Sequence, residues 1–166
     1  MSISWKELSR EPSLHSGKGT PEDELETPTS IFNPLNEEFG FNIDAAADDD
    51  NALCDFYFTK ERSALGFAPW KVGDIRGRVF CHPPGGANIS LFLDRARYEL
   101  DHDYADVVVF FLPVFTDTRW WHKWVMGNEI RLIRGMVPKK HGGKFKNPMC
   151  VVVMKKEPNP KWGVFS

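Results

Sequence analysis

The sequence predicts an α/β layered fold with a mostly parallel sheet and an antiparallel edge, flanked by helices. Three observations carry this. Strand-like and helix-like segments alternate along the chain. The run Asp106–Val114 (Asp-Val-Val-Val-Phe-Phe-Leu-Pro-Val) is apolar on both faces, as a central parallel strand must be. A shorter apolar strand, Arg78–Cys81, runs into His82-Pro83-Pro84-Gly85-Gly86, where the prolines end the ladder and the glycines let a ligand approach the backbone.

In chain order, residues 1–25 are polar, without sustained periodicity, and are expected to be a flexible arm. Thr27 suits a helix cap and Pro28 the first helical position, with Ile31, Phe32, Leu35 and Phe39 following at helical spacing. Pro34 should kink that helix or restart it. Phe41–Ala47 reads as a strand that ends in Asp44 and three small residues, before the acidic turn Asp48-Asp49-Asp50. Residues 54–70 look irregular.

A helix is expected from Asn88 to His102. Ile89, Phe92, Leu93, Ala96 and Leu100 form its inner stripe, and Asp94, Arg95, Arg97 and Glu99 face outward. After the central strand, Thr116-Asp117-Thr118-Arg119 caps a third helix carrying Trp120, Trp121, His122 and Trp124. Strands at Glu129–Arg134 and Met149–Met154 should pair antiparallel at the sheet edge. They flank a basic loop, 135–148, that contains Lys139 and Lys140. Residues 156–166 hold two prolines and read as a loose tail, which leaves 26–155 as one domain.

Composition narrows the function. The 166 residues suffice for a single core. A formal net charge of −2 excludes a generally basic nucleic-acid coat but not a local basic patch. Cys54, Cys81 and Cys150 lack paired spacing, which fits a reducing cytoplasm, and no apolar run is long enough to span a bilayer. Cys81, His82, Asp117 and His122 lack the close spacing of zinc ligands, so no metal is expected.

Several runs together resemble the phage-type DNA adenine methyltransferases. They include Glu26-Thr27-Pro28, Glu38-Phe39-Gly40-Phe41-Asn42-Ile43-Asp44-Ala45-Ala46, Asn51-Ala52, Tyr57-Phe58-Thr59, Arg78-Val79-Phe80, Pro83-Pro84, Leu112-Pro113, Thr116-Asp117-Thr118-Arg119-Trp120-Trp121-His122 and Glu129-Ile130-Arg131-Leu132-Ile133-Arg134-Gly135. The likeness covers roughly residues 26 to 154. It implies a compact, trimmed Rossmann-like methyltransferase sheet, because little chain separates Asp44 from His82. It also implies methyl transfer from S-adenosylmethionine to the exocyclic amine of adenine in double-stranded DNA, by a phage-encoded protein that protects against restriction.

Carried over by position, Thr27, Pro28, Asp44, Ala45 and Ala46 would hold the cofactor. His82, Pro83, Pro84 and Gly85 occupy the catalytic motif. Asp117, Arg119, Trp120, Trp121 and His122, with Lys139 and Lys140, would face the substrate. The family motif is Asn or Asp, Pro, Pro, then Tyr or Phe. His82 replaces its amine-holding side chain and Gly85 its stacking ring. Two alternatives stay open on those departures. One is an inactive scaffold that binds DNA or a host protein; the other is an enzyme whose wider site admits a different amine.

Overall fold

Eight strands form one mixed, mostly parallel sheet in the computed structural model, which describes residues 26–86 and 88–165. The expected N-terminal arm, 1–25, lies outside the described residues. The elements are α1 (Thr29–Phe39), β1 (Ile43–Asp44), β2 (Phe56–Tyr57), β3 (Lys71–Val72), β4 (Ile75–Cys81), α2 (Asn88–Asp101) and β5 (Ala105–Pro113). A π-helical turn at Trp121–Val125 and strands β6 (Glu129–Ile133), β7 (Met149–Lys155) and β8 (Lys161–Phe165) complete the domain.

The strand order is β2-β1-β4-β5-β7-β6-β8, with β3 paired to β4. The β1–β2, β1–β4, β4–β5 and β6–β8 pairs are parallel, whereas β7 runs antiparallel to both β5 and β6. Hence β6 points the same way as β5. The loops that follow β1, β4, β5 and β6 all emerge at one rim, where ligands bind in open α/β sheets.

Alternation along β5 explains why its sequence is apolar throughout. Val108, Phe110 and Leu112 enter the core under α2, together with Phe92, Leu93, Ala96 and Leu100. Val107, Val109 and Phe111 enter a second core under α1, with Ile31, Phe32 and Leu35. Burying both faces is what a central strand needs, and each face takes every second side chain.

Several details differ from the sequence reading. Pro28, not Thr27, is the cap residue of α1, and Pro34 sits inside an unbroken helix. Two-residue β2 lies within the stretch read as irregular. The third helix contracts to the π-helical turn. Residues 161–165, expected to be loose, form β8 in parallel register with β6, so β8 and not the β6–β7 ribbon is the sheet edge.

Glu99, expected to face outward, is fully buried. Its carboxylate accepts the Trp70 N–H at 2.8 Å and pairs with Arg95 at 2.5 Å. The charge is tolerated because both oxygens find strong donors. Arg95 extends the clamp to the Gly66 and Ala68 carbonyls, fastening the 63–70 loop to α2. On the other face, Arg131 of β6 grips Glu38 of α1 through two nitrogens at 2.6 and 2.7 Å. At Gly77 the requirement is steric: a Cβ would stand 2.2 Å from the Trp70 carbonyl oxygen.

Candidate active site

The rim is built first by the turn after β1. Asp44 is 3% exposed, and its side chain bends back onto its own loop. One oxygen accepts the Ala46 N–H and the other the Leu53 N–H, both at 3.2 Å. Desolvation raises the Asp44 carboxyl to about 6, and these two hydrogen bonds only partly offset it. Asp44 therefore shapes the 45–53 loop from beneath. At the loop's surface, Asp48 accepts the N–H groups of Asp50 and Asn51, closing a tight acidic turn.

The loop so formed lines a narrow cleft of about 20 Å³. Ala45, Ala46, Ala47 and Asp48 line it, with Asn51 beside them. Pro84 of the motif, Phe92 of α2 and residues of the 58–64 segment line the same cleft. Three successive alanines put no side chain beyond Cβ between a ligand and the backbone. Ala45 and Ala46, singled out in the sequence, thus share one cleft with the motif residue Pro84. Phe58 and Thr59, from the run Tyr57-Phe58-Thr59 that shares in the resemblance, also line it, as do Lys60 and Ser63, which only the folded chain identifies.

His82 lies on the other side of the motif. The β4 alternation sends Cys81 into the α2 core and turns His82 toward α1. Its Nδ1 is 3.1 Å from Thr27 Oγ1, and its ring meets Phe111 edge-on at 4.9 Å and Phe145 at 5.9 Å. Thr27 thus touches the motif itself. His82 is only 6% exposed, so a base reaching it has to displace part of this cover. Pro83 is buried, whereas Gly85 is exposed, and a Cβ built on Gly85 meets nothing within 4 Å. The ring missing from the motif therefore leaves open space. Just beyond, Asn88 donates its amide to the Gly85 carbonyl at 3.2 Å, while its own Oδ1 is buried without a hydrogen-bond partner among the described residues.

The loop after β5 supplies the tryptophans. Thr118 Oγ1 accepts the Trp121 N–H at 3.3 Å, starting the π-helical turn. Trp121 is buried in the core, whereas Trp120 is half-buried and packs edge-on against Phe115 at 6.5 Å. Asp117, Arg119 and His122 are exposed, and His122 Nε2 sits 2.7 Å from the Thr116 carbonyl. Trp121 is thus a packing residue, and Trp120 and the three polar side chains are the ones that reach the surface.

Beyond β6, the 135–148 loop folds over the rim. Val137 and Phe145 anchor it in the α1-side core, and a bridge between Pro138 and Lys144 pinches its tip. Lys139 lies over the Phe145 ring, while Lys140 and His141 reach Glu26 at 3.7 and 2.7 Å. The segment 26–28 is thereby held between the basic loop and the motif. Phe145, which the sequence reading passed over, is the residue that closes the His82 pocket.

Burial pushes the Cys54 and Cys150 thiols up to about 12, and the fully buried Cys81 thiol is raised well above its ordinary value, so none is a reactive thiolate. Among the described residues no three His, Cys, Asp or Glu side chains gather as metal ligands, and no helix is long and apolar enough to cross a membrane.

Comparison with known proteins gives two matches. The model of a family described as DNA N-6-adenine-methyltransferase (Dam) matches residues 16–161. A protein of Escherichia coli (strain K12), "Putative methyltransferase YfdM", is 38% identical over 65 residues, covering 37% of this chain and 70% of that protein.

Proposed function

The chain belongs to the DNA N-6-adenine-methyltransferase (Dam) family, and from that premise we propose that it methylates the exocyclic amine of adenine in double-stranded DNA with S-adenosylmethionine as donor. The observation that carries this reading is that Ala45–Ala47 and Pro84 line one cleft. A site for a nucleoside-bearing cofactor at the carboxyl end of β1 then adjoins the motif that would hold the base. When bound, S-adenosylmethionine supplies an electrophilic methyl group.

The chain's own residues do the rest. The alanine wall lets the cofactor lie against the backbone, and Asp44 holds that wall in shape. His82 and the Pro83 carbonyl accept the amine's hydrogen bonds and aim its lone pair. Trp120, Arg119 and the lysines of the 135–148 loop face the flipped strand and its phosphates. In a phage, such a mark would shield the DNA from restriction.

A second reading is favoured by one pair of observations, the 6% exposure of His82 and the bare Gly85. In it the scaffold binds DNA or a host protein without turnover. Calorimetric titration with S-adenosylmethionine, followed by tritiated methyl transfer to unmethylated DNA, decides between them. Micromolar binding with incorporation at adenine supports the enzyme. Binding of DNA without incorporation supports the second reading.

A further inference from the structure

We propose that the chain carries a ligand site separate from the motif, at the opposite end of the sheet, that takes one nucleobase together with its phosphate. The proposal goes beyond the functional reading above and does not depend on it.

The site is a cavity of about 170 Å³ lined by Phe67, Tyr98 and Tyr104, with Arg95, Gly66 and Pro69 beside them. Its place follows from the β4–α2–β5 crossover. The motif begins where β4 ends, whereas Tyr98 sits in the last turn of α2 and Tyr104 immediately precedes β5. The Tyr104 carbonyl accepts the N–H of Gly77, near the start of β4, at 2.9 Å. At about 30 Å³ per water the cavity holds roughly five or six water volumes, on the order of one purine.

The lining selects a flat ring. Phe67 is 84% exposed, the most exposed of the large apolar side chains described, and no aromatic ring among the described residues stacks on it. Tyr98 is 48% exposed. The two tyrosines already belong to a ring stack, since the His102 ring lies 3.9 Å from Tyr98 and 6.1 Å from Tyr104. Aromatic side chains that stay in water are what a nucleobase stacks on, and every base has a face to offer.

The charges select a single phosphate over a long polyanion. Arg95 spends its charge inside the fold, on Glu99 and on the Gly66 and Ala68 carbonyls. Around the cavity, Arg76 pairs with Asp103 and Asp106, and Lys156 with Asp103. Lys71 is the exception. Its Nζ stands 6.0 Å from the centre of the Tyr104 ring, and no carboxylate among the described residues pairs with it. One uncommitted ammonium beside an aromatic cavity matches one phosphate, whereas a bound strand would need a row of cations.

The test uses the full chain, with adenosine 5′-monophosphate as probe and ¹H–¹⁵N spectra as readout. The amides of Gly66, Phe67, Lys71 and Tyr104 should shift saturably. Ribose 5-phosphate, which lacks the base, should leave them in place at the same concentration. Phe67→Ala and Tyr98→Ala, both at exposed positions, should melt within a few degrees of wild type and each weaken binding about tenfold. Lys71→Ala should weaken the monophosphate and leave adenosine unchanged. Ala46→Leu, in the motif cleft, should leave these shifts as they are. A short single-stranded oligonucleotide separates the sources of the base. Tighter binding than the mononucleotide, lost in the same variants, assigns the site to an unpaired strand; equal or weaker binding assigns it to a free nucleotide. Absence of saturable shifts at millimolar probe, shifts confined to residues 45–48 and 58–63, or binding that survives both Phe67→Ala and Tyr98→Ala overturns the proposal.

Discussion

Replacing Asp44 by Asn should remove a pH-dependent instability built into the rim. The Asp44 carboxyl is raised to about 6 in the folded protein, chiefly by burial, from an ordinary 3.8. The native state therefore binds a proton more tightly than the unfolded chain. Below about pH 4 the group is protonated in both states and the folded protein has its full stability. As pH rises through 6 the buried carboxyl must ionise and stability is lost. The interval from 3.8 to 6, at about 1.4 kcal/mol per pH unit, sets the loss at about 3 kcal/mol. Asn cannot ionise, and it keeps one acceptor for the Ala46 or Leu53 N–H. Its cost is a pH-independent lost hydrogen bond of about 1 kcal/mol. Urea unfolding of both proteins at pH 4, 5, 6 and 7 reads the difference directly, since every other group titrates alike in both. The wild-type stability relative to Asp44→Asn should decline by about 2.4 kcal/mol from pH 4 to pH 7, most of the full amplitude. A flat difference, or one that rises with pH, would refute the argument that desolvation outweighs the two backbone hydrogen bonds.

Three further outcomes follow from the packing. Gly85→Tyr should fold as well as wild type, since a Cβ there meets nothing within 4 Å. If it stacks on the base, it should tighten DNA binding by about 1–3 kcal/mol in fluorescence anisotropy. Ala46→Leu, on the half-buried cleft wall, should weaken S-adenosylmethionine binding about tenfold or more by calorimetry and shift the melting temperature by only a few degrees. Glu99→Ala should cost about 3–5 kcal/mol in urea unfolding, because it leaves Arg95 and the buried Trp70 N–H without their partner.

The sequence revealed those parts of the fold that depend on hydrophobic pattern. β5 was legible because a strand buried on both faces is apolar at every position, and α2 because its stripe repeats at helical spacing. The rim was legible where chain chemistry is local, in the alanines after Asp44 and the Pro-Pro after His82. What stayed hidden depends on distant partners. Glu99 sits at a position that reads as solvent-facing until the Trp70 N–H and Arg95 arrive from elsewhere. Lys161–Phe165 reads as a tail after Pro158 and Pro160, because an edge strand needs little more than a backbone neighbour, here β6. Asp44 was legible as a rim residue, but its orientation back onto Leu53 was not. Nor does any sequence signal join Thr27 and Phe145 to His82, since those contacts span 55 and 63 positions of chain.

The basic loop leaves β6 and returns into β7, its immediate neighbour in the sheet, and its tip is pinched between Pro138 and Lys144. Residues 139–143 can therefore lengthen without moving any strand. Doubling such a tip costs only about 0.6 kcal/mol in closure entropy. The architecture thus separates inheritance into two compartments. One is the packed sheet, where even a Cβ added at Gly77 of β4 would stand 2.2 Å from the Trp70 carbonyl oxygen. The other is an exchangeable segment whose length and sequence can change while the sheet beneath it stays the same.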